Sequence, residues 1–461
     1  MSQTMRVESR SPFQPGDVVA EVDAWGPERV DGGVAAARQA AEEWRRSPAP
    51  ARANALGKVG DAIAGAADEL AELTVREVGK PRGEAAGEVA RSISILRYYA
   101  QQVLDPDGET YPSPDGKSLL MARRRPRGAV ALITPWNFPL AIPLWKAAPA
   151  LAYGNAVLLK PAPESTGIAL RLAELLAPAL PEHLFQVVPG DAPTAQALLR
   201  ASDAVSFTGS VEAGRSVAVA AAQAGIPVQC EMGGQNASIV LADADLELAA
   251  AQVAGAAMGY AGQKCTATSR VIVVGDGSAF PEALRAAVEK LPAGDPSDAQ
   301  VQVGPVITDE ARRRVLEAAA QAERDGGRLL TGGGPGDGEG WMVQPTLFEG
   351  LPPEAALNQR EVFGPFAGLI PARDLAQAVE ITNGVRYGLV TSVYTRDLGR
   401  ALWALERLDT GMVKVNAPTS GVEFYAPFGG EKESSYGPRE QGKAARDFYT
   451  TIQTFTVAPG M

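Results

Sequence analysis

The sequence predicts an α/β protein built on two largely parallel sheets, each covered by helices. Three observations predict it. Short apolar runs alternate with helical stretches from Gly128 to Ala224, a second block of the same kind begins near Ala237, and the chain before residue 104 carries apolar residues at three- and four-residue spacing with Ala between them. Strands of a parallel sheet buried on both faces read as continuous apolar runs, and ligands of such sheets sit at the carboxyl ends of the strands.

The elements follow in order. Residues 1–15 are polar with scattered charges and lack the apolar centre of a signal peptide. Helices are predicted over 34–44, 51–78 and 84–103; Asp105, Pro106, Asp107 and Gly108 then break the pattern, and 119–125 reads as an extended ribbon. The first alternating block gives strands at 129–133, 155–159, 185–188 and 204–207 with helices at 140–151, 166–176 and 211–224, followed by an apolar strand over 226–230. The second gives strands at 238–241, 271–274, 389–394 and 412–415 with helices at 246–258, 281–291 and 310–324. The glycine-rich stretch 331–340 reads as a surface loop, and 449–457 alternates polar and apolar residues like a strand. There is no internal repeat and no long low-complexity tract.

Composition narrows the chemistry. At 461 residues the chain suits two or three domains, and 46% hydrophobic and 21% charged residues are ordinary globular values. A net charge of −11 argues against a nucleic-acid or anionic-membrane surface; the one basic cluster, Arg123 to Arg125, is short and reads as a solvated or interface face. No stretch approaches the roughly 18 apolar residues of a membrane span, so the expectation is a soluble cytoplasmic protein whose two cysteines, Cys230 and Cys265, are free thiols. The single histidine, His183, excludes a metal centre built from several imidazoles, and a Ser-His-Asp triad would have to run through it. His183 precedes a predicted strand in a turn and reads as structural or solvent-facing. No metal site is expected.

With imidazole nearly absent, the thiols are the candidate nucleophiles. Cys265 lies in a small, polar run from Gly262 to Arg270 just before a predicted strand, whereas Cys230 lies in an apolar strand and reads as a small buried hydrophobe. Glu231 stands at that strand's end, followed by Met232, Gly233 and Gly234, glycines that let other groups approach the backbone. Asn137, in Thr134, Pro135, Trp136, Asn137, Phe138, Pro139, offers a neutral amide at a strand end that can donate to an oxyanion. Taken singly, Glu231 would read as a solvated turn acid and Asn137 as a turn asparagine.

Together and in this order the motifs resemble the NAD(P)-dependent aldehyde dehydrogenase superfamily over nearly the whole chain. The segment 134–139 looks like its oxyanion segment. Leu159, Lys160 and Pro161 look like its ribose-lysine motif, and Phe207, Thr208, Gly209 and Ser210 like the start of its pyrophosphate-side helix. Glu231 to Gly234 resembles the general-base motif and Gly262 to Cys265 the nucleophile motif. Glu361, Val362, Phe363, Gly364 and Pro365 resemble the segment whose acid holds the nicotinamide ribose, and Pro427 to Gly430 with Arg439 and Glu440 the C-terminal signature. The resemblance implies Cys265 as nucleophile, Asn137 with the Cys265 backbone N–H as oxyanion donors, Glu231 as base, and Lys146 and Glu440 as a proton relay. It implies cofactor contacts from Ile133, Thr134, Pro135, Trp136, Lys160, Pro163, Phe207, Gly209, Ser210, Met232, Gly233, Glu361 and Phe363, and substrate contacts from Trp145, Lys264, Thr266 and Phe424. Gly209 and Gly214 are read as bringing a helix close to the pyrophosphate, with ordinary helix–sheet packing as the other reading.

The implied reaction oxidises an aldehyde to its acid with NAD(P), through a cysteine thiohemiacetal and a thioester hydrolysed by Glu231-activated water. Many NAD-preferring members carry a glutamate where this chain has Pro163, with Glu164 one residue late, so NAD(P) use is expected to lean towards NADP, Lys160 pairing with a 2′-phosphate. The stretches 137–146, 418–422 and 434–442 look most like the α-ketoglutarate semialdehyde (2,5-dioxovalerate) dehydrogenase branch, and Trp145 stands where a succinate-semialdehyde enzyme would offer an arginine. The alternatives are a coenzyme-A-acylating semialdehyde dehydrogenase, against which Glu231 discriminates, and a non-catalytic structural paralogue, against which the intact triplet of thiol, amide and base discriminates. The implied architecture is an aldehyde dehydrogenase fold: a Rossmann-like cofactor domain from 1–105 and 128–232, an α/β catalytic domain at 233–445, and a small β oligomerisation element from 106–127 and 446–461. A homodimer or homotetramer follows, because family members use the C-terminal strand to complete a neighbour's sheet.

Overall fold

The computed structural model describes residues 5–275 and 279–460; the first four residues of the polar N-terminal stretch and the last residue of the C-terminal segment lie outside it. Two sheets dominate. The first has six strands in the order Ser435–Tyr436, Val228–Glu231, Ala204–Thr208, Ala129–Ile133, Ala156–Lys160, Phe185–Val187, all parallel except Ser435–Tyr436, which crosses over from the C-terminal part of the chain. Its three central strands are buried at every position, as their uninterrupted apolar runs predict. The second has seven: Arg328–Thr331, Thr346–Glu349, Phe366–Ala372, Thr268–Val274, Asn236–Val240, Val390–Tyr394 and Met412–Val415, parallel except at the Arg328–Thr331 edge. Along Thr268–Val274 the side chains alternate between two cores: Val271 and Val273 join the large one, Ile272 and Val274 the smaller one beneath helices Leu375–Asn383 and Leu398–Leu405.

Several elements differ from the sequence reading. The helix expected over 51–78 is two, Ala49–Gly65 and Ala67–Val78, broken at Ala66. The helix expected from 34 begins at Pro27, a residue pre-set for the first helical position. Residues 6–23 form a hairpin, Arg6–Arg10 with Val18–Asp23, that the polar composition hides. Helix Arg82–Gln102 is close to its expected span. The ribbon is three-stranded: Leu119–Pro126 is flanked by Gly108–Tyr111 and by Thr450–Val457, both antiparallel to it. Among the described residues no helix is long and apolar enough to cross a membrane.

Candidate active site

The carboxyl ends of the two sheets and the loops after them bring the candidate residues together. Cys265 follows a loop that enters through Tyr260 and Ala261, two non-glycine residues in the left-handed region (φ 53° and 51°), and Gly262 at φ 65°. The turn is that tight because a Cβ on Gly262 would lie 2.2 Å from the Gly364 carbonyl oxygen, so the thiol loop and the Glu361 loop touch backbone to backbone. Gln263 is fully buried and staples the loop: its side chain donates to the Tyr260 and Pro305 carbonyls and accepts from the Ile307 N–H. Asn236 donates to the Cys265 carbonyl at 2.7 Å and the Ala267 carbonyl at 2.8 Å. Neither Gln263 nor Asn236 stands out in the sequence as more than a neighbour of a motif.

Asn137 donates through Nδ2 to the Gln263 carbonyl at 2.9 Å, which orients its amide on the Cys265 loop and leaves its second N–H. The Cys265 thiol is half-buried and pushed up to about 12, first by burial and then by the carboxyls of Glu361 and Glu231; its own backbone N–H favours the thiolate. The Cys230 thiol, fully buried, is likewise pushed up to about 12 by burial. The Glu231 carboxyl is held well above the ordinary carboxylate range, chiefly by burial and by the negative charge of Glu440, against the Ser435 hydroxyl that donates to it at 2.5 Å.

Lys146 and Glu440 form a buried ion pair. The Lys146 ammonium also donates to the Ser206 hydroxyl at 2.8 Å, and the other Glu440 oxygen accepts from the Trp145 indole at 2.6 Å. Trp145 is thereby committed to Glu440 and to the Phe428 ring 5.6 Å away. Lys264 pairs with Glu84 at 2.7 Å, Thr266 is buried beside the thiol, and Phe424 packs edge-on against Tyr98 at 5.7 Å. These four substrate candidates therefore line up along different partners, and only Lys264 and Thr266 adjoin Cys265 in the chain.

Most cofactor candidates lie at or just beyond the strand ends of the first sheet, and Glu361 and Phe363 come from the loop before strand Phe366–Ala372 of the second. Strands Ala129–Ile133, Ala156–Lys160 and Ala204–Thr208 deliver Ile133, Thr134, Lys160 and Phe207, and the Thr134 and Thr208 hydroxyls are buried without a partner among the described residues. Orphaned polar atoms at that edge are what a nucleotide site requires, so the residues present fit NAD(P). Trp136 meets Phe363 edge to face at 5.8 Å across the gap between the sheets, next to Pro135. The Glu361 carboxyl, raised to about 7 by burial, fills the space over Gly233, where a Cβ would fall 1.9 Å from its oxygen. Lys160 donates to the Pro161 carbonyl at 2.7 Å, and burial lowers its ammonium to about 8 despite the carboxyls of Glu164 and Asp191. Pro163 opens a short turn, Pro163–Ser165, that holds Glu164, so the late glutamate still reaches the field of Lys160. Ser210 caps helix Val211–Ala224 by accepting from the Ala213 N–H. Gly209 and Gly214 face Phe207 and Met232, which is helix–sheet packing.

Comparison with known proteins gives the same assignment. The chain is 39% identical to an α-ketoglutaric semialdehyde dehydrogenase of Bacillus subtilis, over 98% of this chain and 95% of that one. It is also 39% identical to an α-ketoglutarate semialdehyde dehydrogenase of Haloferax volcanii, over 97% and 94%. The crystal structure of betaine aldehyde dehydrogenase from Staphylococcus aureus in complex with NAD+ superposes with a TM-score of 0.95 at 28% identity, over 99% of this chain and 93% of that one. The model of the aldehyde dehydrogenase family matches residues 1–455, and the chain belongs to that family: it is an NAD(P)-dependent oxidoreductase that converts aldehydes to carboxylic acids.

Proposed function

We propose that the substrate is a semialdehyde with a distal carboxylate, of the α-ketoglutarate semialdehyde type, and that Cys265, Asn137 and Glu231 carry the chemistry. The observation that supports the roles is the tie between their segments: the Asn137 amide donates to the Cys265 loop, and Glu231 acts electrostatically on the thiol. The two semialdehyde dehydrogenases at 39% identity support the substrate class.

The Cys265 thiol loses its proton to solvent, and the thiolate adds to the aldehyde carbon, forming a C–S bond and placing the carbonyl electron pair on oxygen. The Asn137 amide and the Cys265 N–H donate to that oxyanion, an arrangement worth about 3–4 kcal/mol per donor. NAD(P), once bound, would supply the oxidant for the hydride lost from the tetrahedral carbon. Glu361 and Lys160 would hold its two riboses, and Trp136 and Phe363 would border it. The product is a thioester on Cys265. Glu231 takes a proton from water, the hydroxide adds to the thioester, and the acid leaves as the Cys265 thiolate departs. Lys146 and Glu440 lead the proton from Glu231 outwards. Transfer of the acyl group to coenzyme A is disfavoured, because Glu231 is present and buried beside Ser435.

Pro163 takes the usual place of the carboxylate that would oppose a 2′-phosphate, and Glu164, one residue on, still acts on Lys160; the reading is use of both cofactors with a lean towards NADP. The first sheet is read as the cofactor domain, the second as the catalytic domain and the ribbon as a bridge to another copy. Mixing the protein with semialdehydes and either cofactor tests the core reading: a burst of reduced cofactor that disappears in Cys265→Ala is expected. Full activity of that variant would remove Cys265 from its role.

A further inference from the structure

Helix Arg82–Gln102 presents one side to the active site. Glu84, Glu88, Arg91, Ile95 and Tyr98 recur at alternating spacings of four and three, which sets them in a row on one face. Their contacts follow that row. Glu84 holds Lys264, next to the thiol; Glu88 accepts from the Leu140 and Ala141 N–H groups at 2.9 Å, just after Asn137; Arg91 donates to the Val422 carbonyl; and Tyr98 packs on Phe424. Arg91 thus lies two turns from Glu84, about 10 Å along the axis, at the side of the site away from the thiol.

The electrostatics there are unusual. Arg91 is half-buried, its guanidinium has a neutral carbonyl as partner, and no acid lies within ion-pair distance of it among the described residues. Lys414 reaches the same loop from strand Met412–Val415, donating to the carbonyls of Gly421 and of Ser420, the latter at 2.8 Å. Two cations therefore meet three consecutive backbone carbonyls, and among the described residues the acid that acts on Lys414 is the exposed Glu423. Most other surface arginines here already have carboxylate partners, as Arg76 does with Asp17 and Arg171 with Glu69. A half-buried guanidinium without one is suited to receive a carboxylate from a ligand, since its planar fork of donors matches two carboxylate oxygens.

We propose that Arg91 binds the distal carboxylate of the semialdehyde, with Lys414 anchoring the 420–422 loop that shapes this end of the site. The inference rests on the semialdehyde reading above and names the residue that enforces it. It also explains how Trp145 can be spent on Glu440: the cation comes from a different element, one helix face away.

The test compares glutarate semialdehyde with pentanal, the same five-carbon chain with and without the carboxylate, in the full-length protein and in Arg91→Met and Arg91→Lys. The wild type is expected to prefer glutarate semialdehyde. Arg91→Met should shrink the ratio of kcat/KM values by about 10- to 100-fold, mostly through KM, and Arg91→Lys should restore part of it. An unchanged ratio in Arg91→Met would overturn the assignment to Arg91 while leaving the semialdehyde reading standing. Equal losses on both substrates would also overturn it, reducing Arg91 to a support for the loop. A wild type with no preference between the two would sink the semialdehyde reading, and this inference with it.

Discussion

Glu231 has to give up a proton before it can take one from water, and its surroundings set when it can. Burial and the charge of Glu440 raise it, so the carboxylate that the proposed base role requires becomes available as pH rises. Where hydrolysis limits turnover, kcat should climb with pH and level off only above that raised value. Glu231→Gln should remove the climb, lower kcat by about 100-fold or more and keep the first burst of reduced cofactor, with the acyl adduct visible on Cys265 by intact-protein mass spectrometry. A variant that turned over normally would exclude the base role. Lys160 gives a second pH signature. Its ammonium sits near 8 without ligand, and a phosphate beside it would raise that value; NADP affinity should therefore be full below pH 8 and fall as pH rises beyond it, by up to about tenfold per unit. NAD affinity should change less over the same range, and equal slopes in a binding titration would detach Lys160 from the 2′-phosphate. His183 lies half-exposed at φ 62° beside Glu182, away from these groups; His183→Asn, which tolerates that backbone, should leave turnover unchanged in the same assay.

At the scale of elements, what the sequence made legible depended on which forces hold each piece. The central strands of the first sheet were readable because they bury apolar side chains on both faces. The hairpin at 6–23 was not, because the inward side of Arg6–Arg10 holds Val7 and Ser9, and the Ser9 hydroxyl is satisfied by the buried Glu77 carboxyl rather than by apolar packing. Strand Phe366–Ala372 was missed because Gly368 and Pro371 argue against a central strand; Pro371 lies near its end with its side chain exposed, where the lost N–H matters little. In the candidate site, the residues proposed to carry the chemistry were legible from type and order, and their supports were not. Arg270, at the third position of strand Thr268–Val274, is buried and donates to the carbonyls of Gln235, Ile381 and Thr382, with no carboxylate partner among the described residues. It ties the strand after the thiol to the segment after Glu231. Arg270→Met leaves those carbonyls unsatisfied and should cost about 3 kcal/mol, read as a lowered denaturant midpoint. A loss below about 1 kcal/mol would mean that the loops hold themselves in place.

At the scale of the whole molecule, the ribbon is the part that one copy of the chain leaves unfinished. Leu119–Pro126 is its centre, so Gly108–Tyr111 and Thr450–Val457 are both edges with unpaired backbone groups on their outer sides. Tyr111, Leu119, Ile452 and Val457 are all exposed there, Ile452 at 63%. An edge that is both open and apolar is a liability in an isolated protein, and natural chains protect such edges with charge or cover them. Here the three consecutive arginines on Leu119–Pro126 are paired with Asp107, Thr450, Asp447 and Gln453, and the outer strand Thr450–Val457 carries no charge of its own. A second copy of the same chain is the occupant that closed symmetry makes natural, with Thr450–Val457 as the contact. Ile452→Lys would put an ammonium at the centre of that contact without touching the thiol, the amide or the base. The wild type should run as a dimer or larger in light scattering, and Ile452→Lys should shift it towards the monomer as concentration falls. A variant that kept the wild-type mass at every concentration would move the interface elsewhere on the molecule.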